Sequence, residues 1–305
     1  MPSMFTHYLN QLRLEPFMYT CYRVLVLPLW MQYQRVRPSS ETLPYETLLE
    51  MNRHFPKAQK RPGEAETQQQ KKWGGRVAQL ANHFGADKIL EVGCGYGFAS
   101  LYVKKTGKKV CTTDVVDNRF PEVRAAGIPF EIGDVCERLP YVDNAFDMVF
   151  SINSCEHFLD PKKAIDESLR VTRPGGIVFL AFSPLYYSPW GLHASRRLGM
   201  PYPQLLFSSE TIQRFVDEKK HEIEGTYDAV SDKSMIGPYV NGYSIQQYRS
   251  IFKNLGEGAQ QVAYVETVSL DGRKILSDYP EIVKGHTPSF VDLITSGIKV
   301  VIEKT

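Results

Sequence analysis

Between residues 71 and 183 the apolar positions alternate between two periods. Val77, Leu80, Ala81 and Phe84 recur at helical spacing and predict a helix over Trp73–Phe84, with Gly85 as its stop. Short apolar runs follow, and they predict strands at Lys88–Val92, Lys109–Asp114, Phe130–Asp134, Phe146–Ser151 and Ile177–Phe182. Helical patterns lie between them near Ala99–Lys105 and Lys162–Val171, the second ending at Arg173-Pro174-Gly175-Gly176. The runs at 146–150 and 177–182 are apolar on both faces, as central strands covered by helices on either side must be. Strand–helix alternation with right-handed crossovers predicts an α/β fold with a doubly wound, mostly parallel sheet.

The pattern changes on both flanks. Residues 1–70 form an N-terminal helical extension, in which Val24–Met31 is apolar, flanked by Tyr19, Tyr22 and Tyr33 and set among basic residues. Two readings of 17–37 stay open: a peripheral membrane or partner contact, or helices packed on the main domain. A Pro/Gly/Gln-rich linker is expected over Lys60–Gln70. An α/β domain then runs over 71–305, interrupted after strand five by an insert over 184–243 rich in aromatics and prolines. His193, Arg196 and Arg197 in that insert fit either an acceptor-binding lid or a structural loop. Ser209–Lys220 reads as a short helix, and Ser244 with Gln247 as a capping box opening another to about Asn254. Val262–Val268 and Gly297–Lys304 read as two strands at the far edge of the sheet.

Composition narrows the classes. The chain has 305 residues, 43% hydrophobic and 23% charged, which excludes a disordered, collagen-like or disulfide-framework protein. Lys+Arg is 36 against Asp+Glu 34, so charge offers no case for nucleic-acid binding. Five cysteines, none at Cys-x-x-Cys spacing and with no complementary His pair, suggest reduced thiols, no metal set and a cytoplasmic protein. The most apolar stretch, Phe17–Tyr33, is broken by Arg23 and Pro28 and is too short to span a bilayer, so any membrane contact is expected to be peripheral. Oligomeric state is not readable.

The informative chemistry lies at Glu91-Val92-Gly93-Cys94-Gly95-Tyr96-Gly97-Phe98, between a strand and a helix. Glycines there allow positive φ and let a ligand approach the backbone. The spacing is Gly-x-Gly-x-Gly; a dinucleotide fingerprint would want glycine where Phe98 stands. Asp114 ends the next strand, where a carboxylate can accept from ribose hydroxyls, and Asp134 ends the third, placed to meet an adenine amino group.

These motifs resemble the class I S-adenosylmethionine-dependent methyltransferases, most closely the small-molecule branch that includes ubiquinone- and menaquinone-pathway enzymes. Glu91–Gly97 is similar to that family's first motif, Asp114 to its ribose-binding acid and Asp134-Val135 to its adenine-binding position. Phe146–Ser151 and Arg173–Gly176 are similar to the family's fourth strand and the turn before its fifth. The resemblance covers 71–183 well and 244–305 loosely. It implies a Rossmann-like sheet of seven strands, the last antiparallel between the fifth and sixth. It also implies a cofactor, S-adenosyl-L-methionine, held by Glu91, Gly93, Cys94, Gly95, Gly97, Asp114, Asp134, Val135 and Asn153.

The expected activity is in-line methyl transfer to oxygen or carbon of a small-molecule or lipid- or sugar-linked acceptor. Such chemistry rests mainly on positioning and exclusion of water. One candidate for a general base follows the fourth strand, His157 beside Glu156; the pair serves equally well as pocket lining. Two other functions stay open. One is a non-catalytic cofactor-binding scaffold. The other is an NAD(P)-dependent reductase, which Phe98 and Asp134 disfavour.

Overall fold

A computed structural model describes residues 26–54, 62–193, 198–219, 240–287 and 289–305, with backbone only over 62–67. Residues 17–25 of the expected membrane contact, Arg196, Arg197 and residues 220–239 of the insert lie outside the described residues. The chain divides into two compact units. One gathers the described parts of 1–58, 184–238 and 265–296; the other gathers those of 59–183, 239–264 and 297–305.

The second unit holds the sheet. Its elements are α3 (Pro62–His83), β1 (Lys88–Val92), α4 (Phe98–Lys104), β2 (Lys109–Asp114), α5 (Pro121–Ala125), β3 (Phe130–Ile132), β4 (Phe146–Ile152), α6 (Pro161–Val171), β5 (Thr172–Phe182) and α9 (Ile245–Lys253). They are completed by β6 (Ala259–Val268) and β7 (Thr295–Lys304). The seven strands run in the order β3-β2-β1-β4-β5-β7-β6, with β1 to β5 parallel to their neighbours and β7 antiparallel to β5. This is the sheet the resemblance implied. The strand order reverses between β1 and β4, so the crevice beyond their carboxyl ends is where such folds receive ligands.

The apolar runs do what their composition demands. Ile89, Met148, Phe150, Ile177 and Phe179 are buried in one core with Val77 and Ala81 of α3 and Phe98, Leu101 and Val103 of α4. Gly74 lets α3 and α4 approach, since a Cβ there would stand 2.6 Å from Tyr102 Cβ and 2.9 Å from the Ala99 carbonyl oxygen. Asp160 caps α6 by accepting from the Lys163 amide, with Pro161 at the first helical position. The capping box of Ser244 and Gln247 opens α9 as expected.

Two expectations are corrected. Lys60–Gln70 is not a linker from Pro62 on: α3 begins there and runs 22 residues. Glu, Ala, Gln and Lys after Pro62 are good helix formers, and they outweigh the linker-like composition. Arg173–Gly176 is also no free turn before β5. It is a bulge inside β5, where pairing jumps from Phe146↔Thr172 to Met148↔Ile177.

The first unit is helical: α1 (Leu27–Arg35), α2 (Tyr45–His54), α7 (Pro203–Leu206), α8 (Ser209–Glu218), α10 (Arg273–Asp278), α11 (Pro280–His286) and α12 (Phe290–Ile294). Tyr33, Leu48, Tyr202, Phe215, Val283 and Leu293 share its core. Tyr33 donates to the Thr287 carbonyl at 2.6 Å, and Tyr202 to that of Leu293 at 2.8 Å. On the other side of α1, Leu27, Trp30 and Met31 are 40%, 43% and 41% exposed and form one stripe at helical spacing.

Candidate active site

The glycine turn is pinned from below. The amides of Gly93 and Cys94 donate to the Thr113 carbonyl at 2.9 and 3.3 Å, and Gly97 donates to that of Cys94 at 2.8 Å. Gly93, Gly95 and Gly97 have φ of 66°, 50° and 77°, the left-handed region that glycine alone enters freely. Two of them also sit against neighbours: a Cβ on Gly93 would lie 2.7 Å from Ser154 Cβ, and one on Gly97 2.8 Å from Val123 Cγ1. Phe98 then starts α4, buried, with its ring 5.1 Å from that of Phe120.

Asp114 closes the turn from the side. Its Oδ2 accepts from the Gly95 amide and its Oδ1 from the Val115 amide, both at 2.8 Å. The carboxylate still keeps a lone pair for a ligand hydroxyl. Burial pushes the Asp114 pKa up against the pull of the Gly95, Val115 and Val116 amides. Beside it Val115 and Val116 are 62% and 49% exposed, apolar surface at the mouth of the crevice that a reading of polar motifs passes over. Asp134 lies two residues beyond β3 and half-buried; its Oδ1 accepts from the Cys136 amide at 2.8 Å, and Val135 is buried next to it.

Glu91 takes a different position. It is buried, and its Oε2 accepts from the Ser100 amide at 3.1 Å, which braces the first turns of α4. Burial drives its pKa up to about 8, with the Asp114 charge adding to the rise and the hydrogen bonds to Ser100 opposing it. Cys94 is buried too, and burial with the charges of Glu91 and Asp114 pushes its thiol pKa up.

Beyond β4 the chain turns sharply. Asn153 has φ of 51° and donates its amide to the Ala181 carbonyl at 2.8 Å. Ser154 Oγ donates to the Gly93 carbonyl at 2.8 Å, joining this segment to the glycine turn. A 3-10 turn, Cys155–His157, follows. His157 is partly exposed, with Nε2 4.0 Å from Glu156 Oε1. Glu156 is 1% exposed, and burial raises its pKa to about 8. Asn241 holds the turn: its amide donates to the Glu156 carbonyl at 2.8 Å, and its Nδ2 to those of Cys155 and Phe158 at 3.0 Å each. Tyr248 of α9 in turn donates to Asn241 Oδ1 at 3.0 Å. No sequence motif flags Asn241; its role appears only once α9 is seen beside β4 and β5.

The carboxyl ends of β1, β2, β3 and β4 thus present Gly93–Gly97, Asp114, Asp134-Val135 and Asn153–His157 along one edge of one sheet. Residues 90–180 match the family model described as a methyltransferase domain. The matched segment contains every one of those site residues. Among curated relatives, the methyltransferase GfsG of Streptomyces halstedii is 35% identical over 103 residues, 31% of this chain and 37% of that protein. The malonyl-acyl-carrier-protein O-methyltransferase of Yersinia pestis is 31% identical over 114 residues, 37% of this chain and 42% of that protein. The chain therefore spans less than half the length of these relatives. A solved structure, a sarcosine dimethylglycine methyltransferase from Galdieria sulphuraria, covers 77% of this chain and 85% of its own at 15% identity and a TM-score of 0.45.

Proposed function

We propose that the protein transfers a methyl group from S-adenosylmethionine to oxygen or carbon of a small-molecule or lipid- or sugar-linked acceptor. The observation that carries this is the glycine turn closed by Asp114 inside the methyltransferase domain. When bound, the donor supplies a methyl carbon made electrophilic by its positive sulfur. The residues fit it. Glycines at 93, 95 and 97 admit close approach, Asp114 would offer its remaining lone pair to the ribose, and Val115 and Val116 offer apolar surface to a flat base. Asp134, whose Oδ1 accepts from the Cys136 amide, would offer Oδ2 to the exocyclic amine, with Val135 buried beside it. Glu91 supports the turn from beneath, through the Ser100 amide.

Phe98, buried against Phe120, fills the position where a dinucleotide site needs glycine, and this weighs against the reductase alternative. Calorimetry with S-adenosylhomocysteine and, separately, NADH tests the proposal: tight binding of the first and none of the second is expected. The reverse would sink it.

The stripe of Leu27, Trp30 and Met31, with Arg35 at the end of the same helix, supports a peripheral contact with an apolar, anionic surface. Among the described residues no helix is long and apolar enough to cross a membrane. Cys94, Cys111, Cys136 and Cys155 are all free thiols, which supports a cytoplasmic place of action.

A further inference from the structure

Two cations share one indole on the α3 side of the sheet, and no acid stands between them. Lys299 Nζ lies 5.8 Å from the centre of the Trp73 ring, and Arg76 Cζ lies 4.8 Å from the same ring. Trp73 is held in place against Phe179 of β5, with ring centres 6.3 Å apart. An aromatic face attracts one cation; a second like charge at the same ring repels the first. Among the described residues neither Arg76 nor Lys299 has a hydrogen-bond or ion-pair partner. The helix offers none: from Thr67 to His83 it carries Lys71, Lys72 and Arg76 and no Asp or Glu.

Lys299 is half-buried. Burial lowers its pKa, and the Arg76 charge lowers it further. The fold does not require this pairing, since an uncharged side chain on β7 would cover Trp73 without the repulsion. What the pair fits is an anion. A phosphate group carries close to two negative charges and three acceptor oxygens, enough to meet a guanidinium fork and an ammonium together.

The patch also lies near the crevice. Lys299 is in register with Ala181 of β5, and Ala181 with Ile152 at the end of β4. Two strand spacings put its backbone about 10 Å from that of Ile152. Gln70, one helical turn before Trp73, accepts from the Phe98 amide at 3.1 Å, so the helix that carries the patch also braces the start of α4.

We propose that Arg76, Lys299 and Trp73 form a subsite for a phosphate group carried by the acceptor. The proposal rests on the methyl-transfer reading and narrows its acceptor to phosphate or diphosphate esters.

The first test needs no methyl transfer. With Trp30→Phe and Trp190→Phe in the full chain, Trp73 is the tryptophan that reports. Inorganic pyrophosphate and butyl phosphate, titrated at physiological ionic strength, are expected to change its emission saturably. Arg76→Gln and Lys299→Gln should each raise Kd about tenfold or more, and the charge-keeping Lys299→Arg far less. No saturable change in the parent protein overturns the subsite, with or without folded variants. So does an unchanged Kd in Gln variants that melt as the parent does.

Calorimetry of wild type with S-adenosylhomocysteine separates the two readings. No binding removes methyl transfer, and the acceptor role with it, whatever Trp73 reports. Thioether release is then compared between hydroxyphenyl phosphates and the same diphenols without phosphate. The phosphate-bearing member is expected to have the higher kcat/KM, and Lys299→Gln to erase that preference through a rise in KM larger than any fall in kcat. Pyrophosphate binding without a preference between paired acceptors would make free phosphate the ligand and overturn the acceptor assignment.

Discussion

Asp114 and Gly95 are joined by a 2.8 Å hydrogen bond from the glycine amide to the carboxylate, so the acid that faces the crevice also shapes the turn that lines it. Removing the carboxylate takes away a ligand acceptor and frees the turn at once. Asp114→Ala is therefore expected to weaken S-adenosylhomocysteine binding by roughly 1–3 kcal/mol, the cost of lost hydrogen bonds to a charged group. Asp114→Asn, which keeps one acceptor oxygen, should lose less. Calorimetry decides, and equal affinity in all three proteins would remove Asp114 from the site.

Glu91 and Glu156 set an unusual pH dependence. Both have pKa values raised by burial to about 8 in the folded chain, from 4.5. Between those values each acid binds more proton in the folded chain than in the unfolded one, so the contribution of this pair is greatest below about pH 4.5 and is lost as pH rises towards 8. Each acid is expected to contribute a loss on the order of 2–4 kcal/mol across that window. Urea midpoints measured from pH 5 to pH 8.5 should fall in wild type and fall less in Glu156→Gln. A flat wild-type profile would show that neither carboxyl is as secluded as the structure has it.

Asp147 acts in the opposite sense. Its Oδ2 accepts from the amides of Asp87 and Lys88 at 2.9 and 2.7 Å, and its Oδ1 from Arg173 Nε at 2.6 Å. Partial burial resists ionisation, but these donors prevail and hold the pKa at about 2. Because the folded value is depressed, the stabilisation is present above about pH 4 and is lost as pH falls towards 2. Asp147→Asn is expected to cost about 2 kcal/mol at neutral pH, read from urea midpoints. No loss would mean that the bulge in β5 is held without it.

How much of this was visible in the residues depends on the kind of signal. The three central parallel strands were, because Ile89-Leu90, Met148–Phe150 and Ile177–Phe182 are apolar at every position and admit no exposed face. So were Gly93–Gly97, where three glycines follow a strand. The helices over 273–294 were not: at six, seven and five residues they are too short to show a period, and Gly272 and Pro280 break what pattern there is. The bulge at Arg173–Gly176 looked like a turn because Pro-Gly-Gly marks both; only the register with β4 tells them apart. The site divides the same way. Asp114 and Asp134 stand at strand ends and could be placed by counting. That Glu91 faces inward to Ser100, and that Glu156 is buried, depends on packing that the sequence does not display.

The exposed stripe of α1 makes a measurable claim. Leu27, Trp30 and Met31 lie on one side of a helix whose Tyr33 is anchored to Thr287 and stacked edge-on against Phe290, so the stripe is held facing out. In co-sedimentation with anionic vesicles, the chain is expected to pellet, and Trp30→Glu with Met31→Glu to lower the pelleted fraction severalfold while melting unchanged. Equal pelleting would leave the stripe as ordinary surface.

Gly93 and Gly95 separate two costs that are usually confounded. Both have positive φ, so alanine at either pays roughly 1–2 kcal/mol for the left-handed backbone. At Gly95 nothing lies within 4 Å of the added Cβ, and that strain is the whole effect. At Gly93 the Cβ would meet Ser154 Cβ at 2.7 Å and Oγ at 2.8 Å, the same hydroxyl that donates to the Gly93 carbonyl. Gly93→Ala must therefore push the two turns apart and is expected to destabilise by more than Gly95→Ala, with weaker S-adenosylhomocysteine binding as the turns lose the Ser154–Gly93 hydrogen bond. Ser154→Gly removes both clashing atoms, so the double variant Gly93→Ala with Ser154→Gly should be less damaged than the two single effects added together. Strict additivity of melting and affinity in that cycle would mean that the glycine turn and the Glu156 turn are not in contact.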